Sequence, residues 1–354
     1  MNPLTQRRWR QFKANRRGYW SLWIFSVLFG MSLCAEFIAN DRPILMKHAG
    51  VYWFPTLGDY TELELGGELP IPAQYKDPYV IDLIERSGGW MLMPPIPYRF
   101  DTQDLYIESS SPEPPSARHW LGTDDRAKDT LARVIYGFRL SVLFGLTLTL
   151  FSSLIGVTVG ALQGYFGGVV DLAGQRLVEI WAGLPILLML IILASVVEPN
   201  VYWLLGILTL FSWMPLVGVV RAEFLRTRNF EFVRAARALG VSDRLIIWRH
   251  VLPNATVAAL TFLPFILSGA VTMLTALDFL GFGLPAGSPS LGELLAQGKN
   301  NLQSPWLGLA GFVTLGTMLT LLIFIGEGVR DAFDPRRTVA FDTTDRLKAD
   351  DALA

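Results

Sequence analysis

The chain has 354 residues, of which 51% are hydrophobic and 17% are charged, with a mean hydropathy of +0.38. Soluble domains carry about 25% charged residues, so this composition argues against a soluble globular protein. The net charge of -1 gives no support for a nucleic-acid partner, and the single cysteine, Cys34, excludes an intramolecular disulfide.

Six stretches of the chain are apolar enough and long enough to cross a bilayer, which takes about 20 residues. The first is as long as a full span and is not followed by a small-residue cleavage site, which predicts an anchor rather than a removed signal. Backbone polar groups must be satisfied internally in lipid, so all six are predicted helices of an all-α polytopic fold. The predicted spans cover residues 19–39, 140–165, 177–197, 201–220, 255–277 and 306–325.

The distribution of lysine and arginine predicts the orientation of these spans. Residues 1–18 carry six cations and no acid, which places the N-terminus in the cytoplasm. Six spans return the tail, residues 337–354, to the same side. The loop at residues 221–254 is also cytoplasmic in this arrangement and is rich in arginine. Pro185, Pro215 and Pro264 lie inside spans and are predicted to kink them.

Residues 40–118 then form a large periplasmic insertion ahead of a permease core at residues 119–336. Apolar and aromatic runs at residues 43–48 and 51–54 flank Ala49 and Gly50. This pattern predicts a small β-hairpin.

The loop at residues 221–254 contains two predicted short helices. The first is stopped by Gly240 as a C-terminal cap, and Ser242 or Asp243 begins the second. Ala235 and Ala236 are small enough for another protein to approach the first helix closely. These features indicate a docking element, and an ordinary positively charged loop is the alternative.

The same stretch resembles the EAA loop of ABC importer permeases, with Ala235, Ala236, Gly240, Leu252 and Pro253 in register. The resemblance implies that the loop forms the coupling helix, which sits in a groove of the ATP-hydrolysing subunit. Two positions depart from the pattern. Arg234 stands where the family has glutamate, and His250 stands where an apolar residue is usual.

Further segments are similar to permeases of the dipeptide/oligopeptide class. They are residues 119–125 (HWLGTDD), 129–141 (DTLARVIYGFRLS), 277–284 (LDFLGFGL), 305–307 (PWL) and 328–335 (GVRDAFDP). Residues 15–25 (NRRGYWSLWIF) and the large insertion resemble the Yej-type subunit linked to microcin C and peptide uptake.

The resemblance implies a type I importer permease in the bacterial inner membrane, forming half of a pathway for peptides or microcin C-like compounds. A second permease would complete a heterodimer, and a periplasmic solute-binding protein would deliver the substrate. ATP and magnesium would bind a separate ATPase subunit, so this chain is expected to be neither an enzyme nor a cofactor-binding protein. Its remaining partner would be membrane lipid.

Three acidic residues near span ends, Glu36, Glu179 and Asp278, are either solvated at the interface or part of a solute path. Gly156, Gly160 and Gly164 have the spacing that lets membrane helices approach closely. They serve either packing within this chain or a heterodimer interface.

Two other classes of function compete with a permease. An ion-driven secondary transporter needs ionisable groups near the bilayer midplane, and none is evident in the spans. A membrane-anchored enzyme or sensor needs a catalytic constellation in the insertion. The phosphate-loop-like residues 292–300 have one residue too many between the glycines and end in Asn300 rather than serine or threonine. The three histidines, His48, His119 and His250, form no metal-ligand motif.

Overall fold

The computed structural model describes residues 3–105, 107, 110–198 and 200–333, and the predicted tail at residues 337–354 lies outside them. The described chain is mostly helical and includes a three-stranded sheet. The helices are α1 Pro3–Ala14, α2 Arg16–Leu33, α3 Ala35–Ile38, α4 Pro78–Arg86, α5 Thr130–Phe166, α6 Gly168–Ala182, α7 Ile186–Val196, α8 Val201–Ser212, α9 Met214–Thr227, α10 Glu231–Ala238, α11 Asp243–Leu245, α12 Leu252–Phe279, α13 Leu291–Asn300 and α14 Pro305–Phe333.

Three helical runs are long and apolar enough to cross a membrane, namely Thr130–Phe166, Asp243–Phe279 and Pro305–Phe333. Two further pairs qualify only as bent units, α6 with α7 at 74° and α8 with α9 at 42°. By length and composition, the described residues therefore contain three to five candidate spans. The first predicted span corresponds to α2, which begins with two arginines and is less apolar than these runs.

The prolines inside the predicted spans have different effects. Pro185 stands at the 74° break between α6 and α7, where the missing N–H ends regular pairing, so the predicted kink is confirmed. Pro215 lies in the first turn of α9, just after the 42° bend at Trp213. A proline costs little there because that N–H has no partner within the helix. Pro264 lies inside α12, which continues through it without a break.

The second predicted helix of the arginine-rich loop is not a separate element. From Asp243 the chain runs through a π-helical segment, Ile246–Val251, directly into α12. Pro253 therefore lies within a continuous helix instead of at its entry. The wider π turn accommodates Pro253, because Leu252 N–H pairs with Ile247 O and Pro253 needs no partner.

The described residues divide into two compact units. One comprises residues 3–26, 144–273 and 317–333, and the other comprises residues 27–143 and 274–316. The core of the first unit joins α5, α9, α10 and the start of α12, with Leu216, Phe224, Val233 and Ile246 fully buried. Burial of such side chains contributes about 1.5–3 kcal/mol each.

The second unit contains the insertion, and the predicted hairpin is confirmed. Strand β1, Leu45–His48, pairs antiparallel with β2, Val51–Trp53, through a turn with positive φ at Ala49 and Gly50. Strand β3, Trp90–Leu92, pairs with the other edge of β1. The inner face of the sheet and α4 share a small core of Met46, Leu65, Tyr75, Val80 and Ile84.

The glycine stripe packs within this chain. A Cβ on Gly156 would lie 2.7 Å from Trp213 O, and one on Gly160 would lie 2.8 Å from Val217 O. A Cβ on Gly164 would lie 2.5 Å from Phe224 Cβ. Of the two predicted roles for the stripe, the structure supports close packing of α5 against α9.

Candidate functional site

The arginine-rich hairpin, residues 230–253, is attached to the first unit by the buried side of α10. Val233 is completely buried and Ala236 is 8% exposed, and both join the core that includes Phe224 and Tyr165. Arg234 and Ala235 lie on the opposite side and are exposed. The hairpin is thus a fixed part of the fold that presents one defined face outward.

The adjacent alanines therefore have different environments. The sequence assigned both to a partner's approach, but only Ala235 is available to a partner, because Ala236 is buried among the chain's own side chains. Consecutive helical residues differ by about 100° around the axis. A change at Ala235 alters the outer surface, whereas a change at Ala236 alters the core.

Gly240 forms the turn of the hairpin as predicted. Its φ is 76°, a left-handed conformation that glycine adopts without steric cost. Gly240 N–H donates to Arg237 O at 3.0 Å, and Val241 N–H donates to Ala236 O at 3.1 Å. These hydrogen bonds give partners to carbonyl groups that would otherwise have none at the end of α10.

Tyr165, in the last turn of α5, links that helix to the hairpin. Its hydroxyl donates to Asp243 Oδ1 at 2.5 Å, and the Arg237 guanidinium lies 5.4 Å from its ring centroid. Arg228 donates to the carbonyls of Gly164 and Tyr165 at 3.3 and 3.2 Å. These contacts surround a cleft of about 590 Å³ and couple the position of the hairpin to that of α5.

The outer face of the hairpin combines apolar and basic groups. Leu239 is 83% exposed and Trp248 is 71% exposed. Such side chains rarely remain in water without a partner when they form a contiguous patch. The exposed members of this coupling face are Phe232, Arg234, Ala235, Arg237, Leu239, Arg244, Leu245, Trp248 and Arg249.

The remaining predicted residues lie at the end of the hairpin. Leu252 is half-buried and packs against the core of the first unit, and Pro253 is exposed. Tyr165, Leu239 and Trp248 were not predicted from the sequence. A tryptophan within an arginine-rich loop was the available signal for Trp248, whereas the role of Tyr165 depends on a contact 78 residues away in sequence.

The acidic residues near span ends have partners in the structure. Glu36 accepts from Arg139 Nη1 at 2.8 and 2.9 Å. Asp278 accepts from Ser290 Oγ at 2.5 Å and from Leu284 N–H at 2.6 Å, which ties the end of α12 to the loop before α13. Glu179 accepts from Arg176 at 2.6 Å on an exposed surface.

The second unit contains a buried polar cluster centred on His119. Its Nδ1 lies 2.9 Å from Asp129 Oδ2, and its Nε2 lies 3.3 Å from Asp104 Oδ2. Burial opposes the charge of the imidazole, but the hydrogen bonds and charges of Asp129 and Asp104 outweigh that cost and raise the pKa of His119. Tyr98 and Arg118 also donate to Asp104, at 2.9 and 3.0 Å.

Comparison with known proteins identifies two matching families. Residues 156–339 match the family described as binding-protein-dependent transport system inner membrane component. Residues 3–49 match the N-terminal TM domain of oligopeptide transport permease C. The first match begins within α5 and includes α6 to α14, and the second includes α1 and α2.

Individual relatives cover most of the chain. It is 60% identical over 339 residues to the inner membrane ABC transporter permease protein YejE of Escherichia coli, covering 96% of this chain and 99% of the relative. It is 56% identical to the peptidoglycan transport system permease protein YejE of Agrobacterium fabrum, covering 95% and 94%. The oligopeptide transport system permease protein OppC of Mycobacterium bovis is 36% identical, covering 70% and 85%.

Proposed function

Because the chain belongs to the Yej-type family of binding-protein-dependent ABC permeases, we propose that its six spans form half of a pathway that imports peptides or peptide-like compounds. The names of relatives support this substrate class, since they include oligopeptide and peptidoglycan transport. Microcin C-like compounds remain a proposed substrate on the resemblance alone. A second permease would supply the other half of the pathway.

The observation that carries the proposal is the exposed coupling face of the hairpin. The hairpin, residues 230–253, carries four arginines against two acids and also exposes Leu239 and Trp248. An ATPase subunit that binds ATP and magnesium would cover this apolar surface. Contacts of Asp243 and Arg237 with Tyr165 would then transmit its movement to α5.

The charge of the coupling face specifies the surface of the ATPase. Arg234 is exposed, and none of the described carboxylates forms an ion pair with it. A partner with acidic groups opposite Arg234 would associate faster and bind more specifically. The groove that receives this hairpin is therefore proposed to be acidic at its rim and apolar at its floor.

The decisive experiment enlarges Ala235, which is exposed, without changing the core. Ala235→Trp is expected to abolish co-purification of the ATPase and ATP-dependent uptake, because the larger side chain prevents close approach. The thermal melting temperature of the isolated permease should remain within a few degrees of wild type, since surface substitutions are usually worth within about 0.5 kcal/mol. Co-purification from mild detergent and uptake in vesicles give the two measurements.

Two variants serve as controls for this experiment. Ala235→Ser keeps the side chain small and should preserve association, whereas Arg234→Glu should weaken association by reversing the charge at the same surface. Full uptake by Ala235→Trp, with the ATPase still bound, would refute the coupling role of the hairpin.

The proposed orientation places α1 and the hairpin in the cytoplasm and residues 40–118 in the periplasm of the inner membrane. The cation-rich N-terminal segment and hairpin support this orientation. In this arrangement the insertion is available to a periplasmic solute-binding protein. Its three-stranded sheet exposes Tyr52, Trp90 and Leu92 on the outer side, which suits a protein contact.

A further inference from the structure

One face of α1 is committed to packing against α14. The Arg8 guanidinium lies 4.6 Å from the ring centroid of Phe333. Phe12 is 5% exposed, and its ring would be 2.9 Å from a Cβ placed on Gly328. Asn15 Nδ2 donates to Asp331 Oδ2 at 3.0 Å. These three residues of the N-terminal segment follow helical spacing, so they form one stripe.

The opposite face is exposed and basic. Arg10 and Lys13 are exposed and three residues apart in α1, which places them on one side of that helix. Arg17, which is also exposed, follows in the first turn of α2. The first acidic residue of the chain is Glu36, so no acid in the N-terminal segment neutralises this stripe. The positive charge is thus held outward by the packing of Arg8, Phe12 and Asn15.

The helix is interrupted at Asn15, which brings the side chain of Trp9 to the beginning of α2. Trp9 and Tyr19 are ten residues apart and would be separated by about 15 Å along a straight helix. Their ring centroids are instead 6.4 Å apart. Tyr19 also contacts the rings of Trp20 and Trp23, which are 61% and 50% exposed.

These aromatics define the depth of α1 relative to the membrane. Tryptophan and tyrosine concentrate at the boundary between hydrocarbon and headgroups. Trp9, which is 41% exposed, joins the aromatic group in the first turns of α2, and α2 lies within the match to an N-terminal TM domain. The basic stripe therefore lies at the level of the lipid headgroups, where phosphate oxygens are the available anions.

From this geometry we propose that α1 and the first turn of α2 form a binding surface for anionic phospholipid, with headgroup phosphates on Arg10, Lys13 and Arg17 and acyl chains beside Trp9. Charge complementarity and continuity with the span α2 identify this partner. The inference rests on the membrane location of α2, and it requires neither the ATPase nor a particular substrate.

The test titrates the purified full chain in mild detergent with phosphatidylglycerol or phosphatidylcholine and measures the first bound lipid by native mass spectrometry. Wild type is expected to bind phosphatidylglycerol more tightly than phosphatidylcholine. The triple variant Arg10→Gln, Lys13→Gln, Arg17→Gln should weaken phosphatidylglycerol binding by roughly fivefold or more, on the usual effect of a cation at an anionic surface.

Matched variants separate a lipid site from general charge. Arg244→Gln with Arg249→Gln removes exposed hairpin cations and should leave lipid binding unchanged, whereas Arg10→Lys with Arg17→Lys should retain it. If the triple variant does not fold, Lys13→Gln alone and the salt dependence of wild-type binding replace it. Equal wild-type affinity for the two lipids, or an equal loss in the hairpin variant, would overturn the proposal. Loss of uptake without loss of lipid binding would bear on the proposed transport function and would leave the lipid site supported.

Discussion

At Gly164 the absence of a side chain allows α5 to meet α9. A Cβ there would lie 2.5 Å from Phe224 Cβ and 2.6 Å from Arg221 O. The second of these atoms belongs to the backbone, which cannot move aside by a rotamer change. Gly206 in α8 provides the contrast, because nothing lies within 4 Å of a Cβ built on it.

We predict that Gly164→Ala destabilises the permease by about 1–3 kcal/mol, the usual cost of overpacking a close contact. Gly206→Ala should be neutral or slightly stabilising, since alanine favours helix over glycine by about 1 kcal/mol. Thermal unfolding of the two variants in the same detergent compares them directly. Equal melting temperatures would contradict the close packing at Gly164.

His119 has both ring nitrogens directed at carboxylates, and this arrangement predicts a pH dependence. The raised pKa of His119 means that the protonated ring stabilises the fold below its unfolded value of 6.5. That contribution is lost as pH rises through the raised pKa. Lys76 acts in the opposite direction, because burial lowers its pKa to about 8. The free energy of unfolding therefore increases as this amine loses its proton above that pH.

The variant His119→Gln isolates the histidine contribution. The stability advantage of wild type over His119→Gln should be largest near pH 6 and should shrink as the pH is raised to 9. Lys76 is present in both proteins, so its titration largely cancels in the difference. Thermal melting across this pH range gives the measurement. A difference that is constant with pH would show that His119 does not titrate with folding.

At the scale of elements, the hairpin combines a rigid turn with an exposed face. Gly240 has open space around it, so its conformation alone restricts substitution. The bonds from Gly240 and Val241 fix the end of α10. The position of Leu239, 83% exposed and next to the turn, depends on that geometry.

Gly240→Val is expected to distort the turn at a cost of about 1–2 kcal/mol for a left-handed residue with a side chain. The local change should impair ATPase association more than it lowers the melting temperature of the permease. Gly240→Asn should retain association, because asparagine tolerates this conformation. Binding of the two variants to the ATPase in mild detergent distinguishes them, and equal binding would show that the turn geometry is not needed.

At the scale of the molecule, the proposed orientation places two highly exposed leucines on opposite sides of the membrane. Leu57 in the insertion is 74% exposed, and Leu239 in the hairpin is 83% exposed. Cys34 is the only cysteine, so Cys34→Ser gives a background for single labels. In this background Leu57→Cys should react with a membrane-impermeant maleimide added to spheroplasts. Leu239→Cys, expressed without the ATPase that would cover it, should react only after the membrane is opened.

The reverse labelling pattern would invert the orientation, and labelling of both sites in sealed spheroplasts would contradict an odd number of spans between them. Recovery of each variant in the membrane fraction at the wild-type level provides the control that it is inserted. The experiment also tests whether the bent pairs are full spans. One re-entrant pair would make the number of crossings between Leu57 and the hairpin even, and both labels would then react on the same side.

Local features of the sequence determined the membrane character, the β-hairpin and the turn at Gly240. They depend on hydropathy, alternation and allowed φ angles over a few residues, which neighbours in the chain are sufficient to set. The Yej-type resemblance was also available from the sequence. The break at Pro185 followed from its missing N–H, whereas the continuity of α12 through Pro264 did not.

Only the tertiary structure decided how these elements are used. It buried Ala236 while exposing Ala235, paired Glu36 with Arg139, and brought Trp9 to Tyr19. The rotation of each helix is set by packing between segments far apart in the chain. Hydropathy gives the length of a span and leaves that rotation open, so the faces available to partners and lipid follow from the folded core.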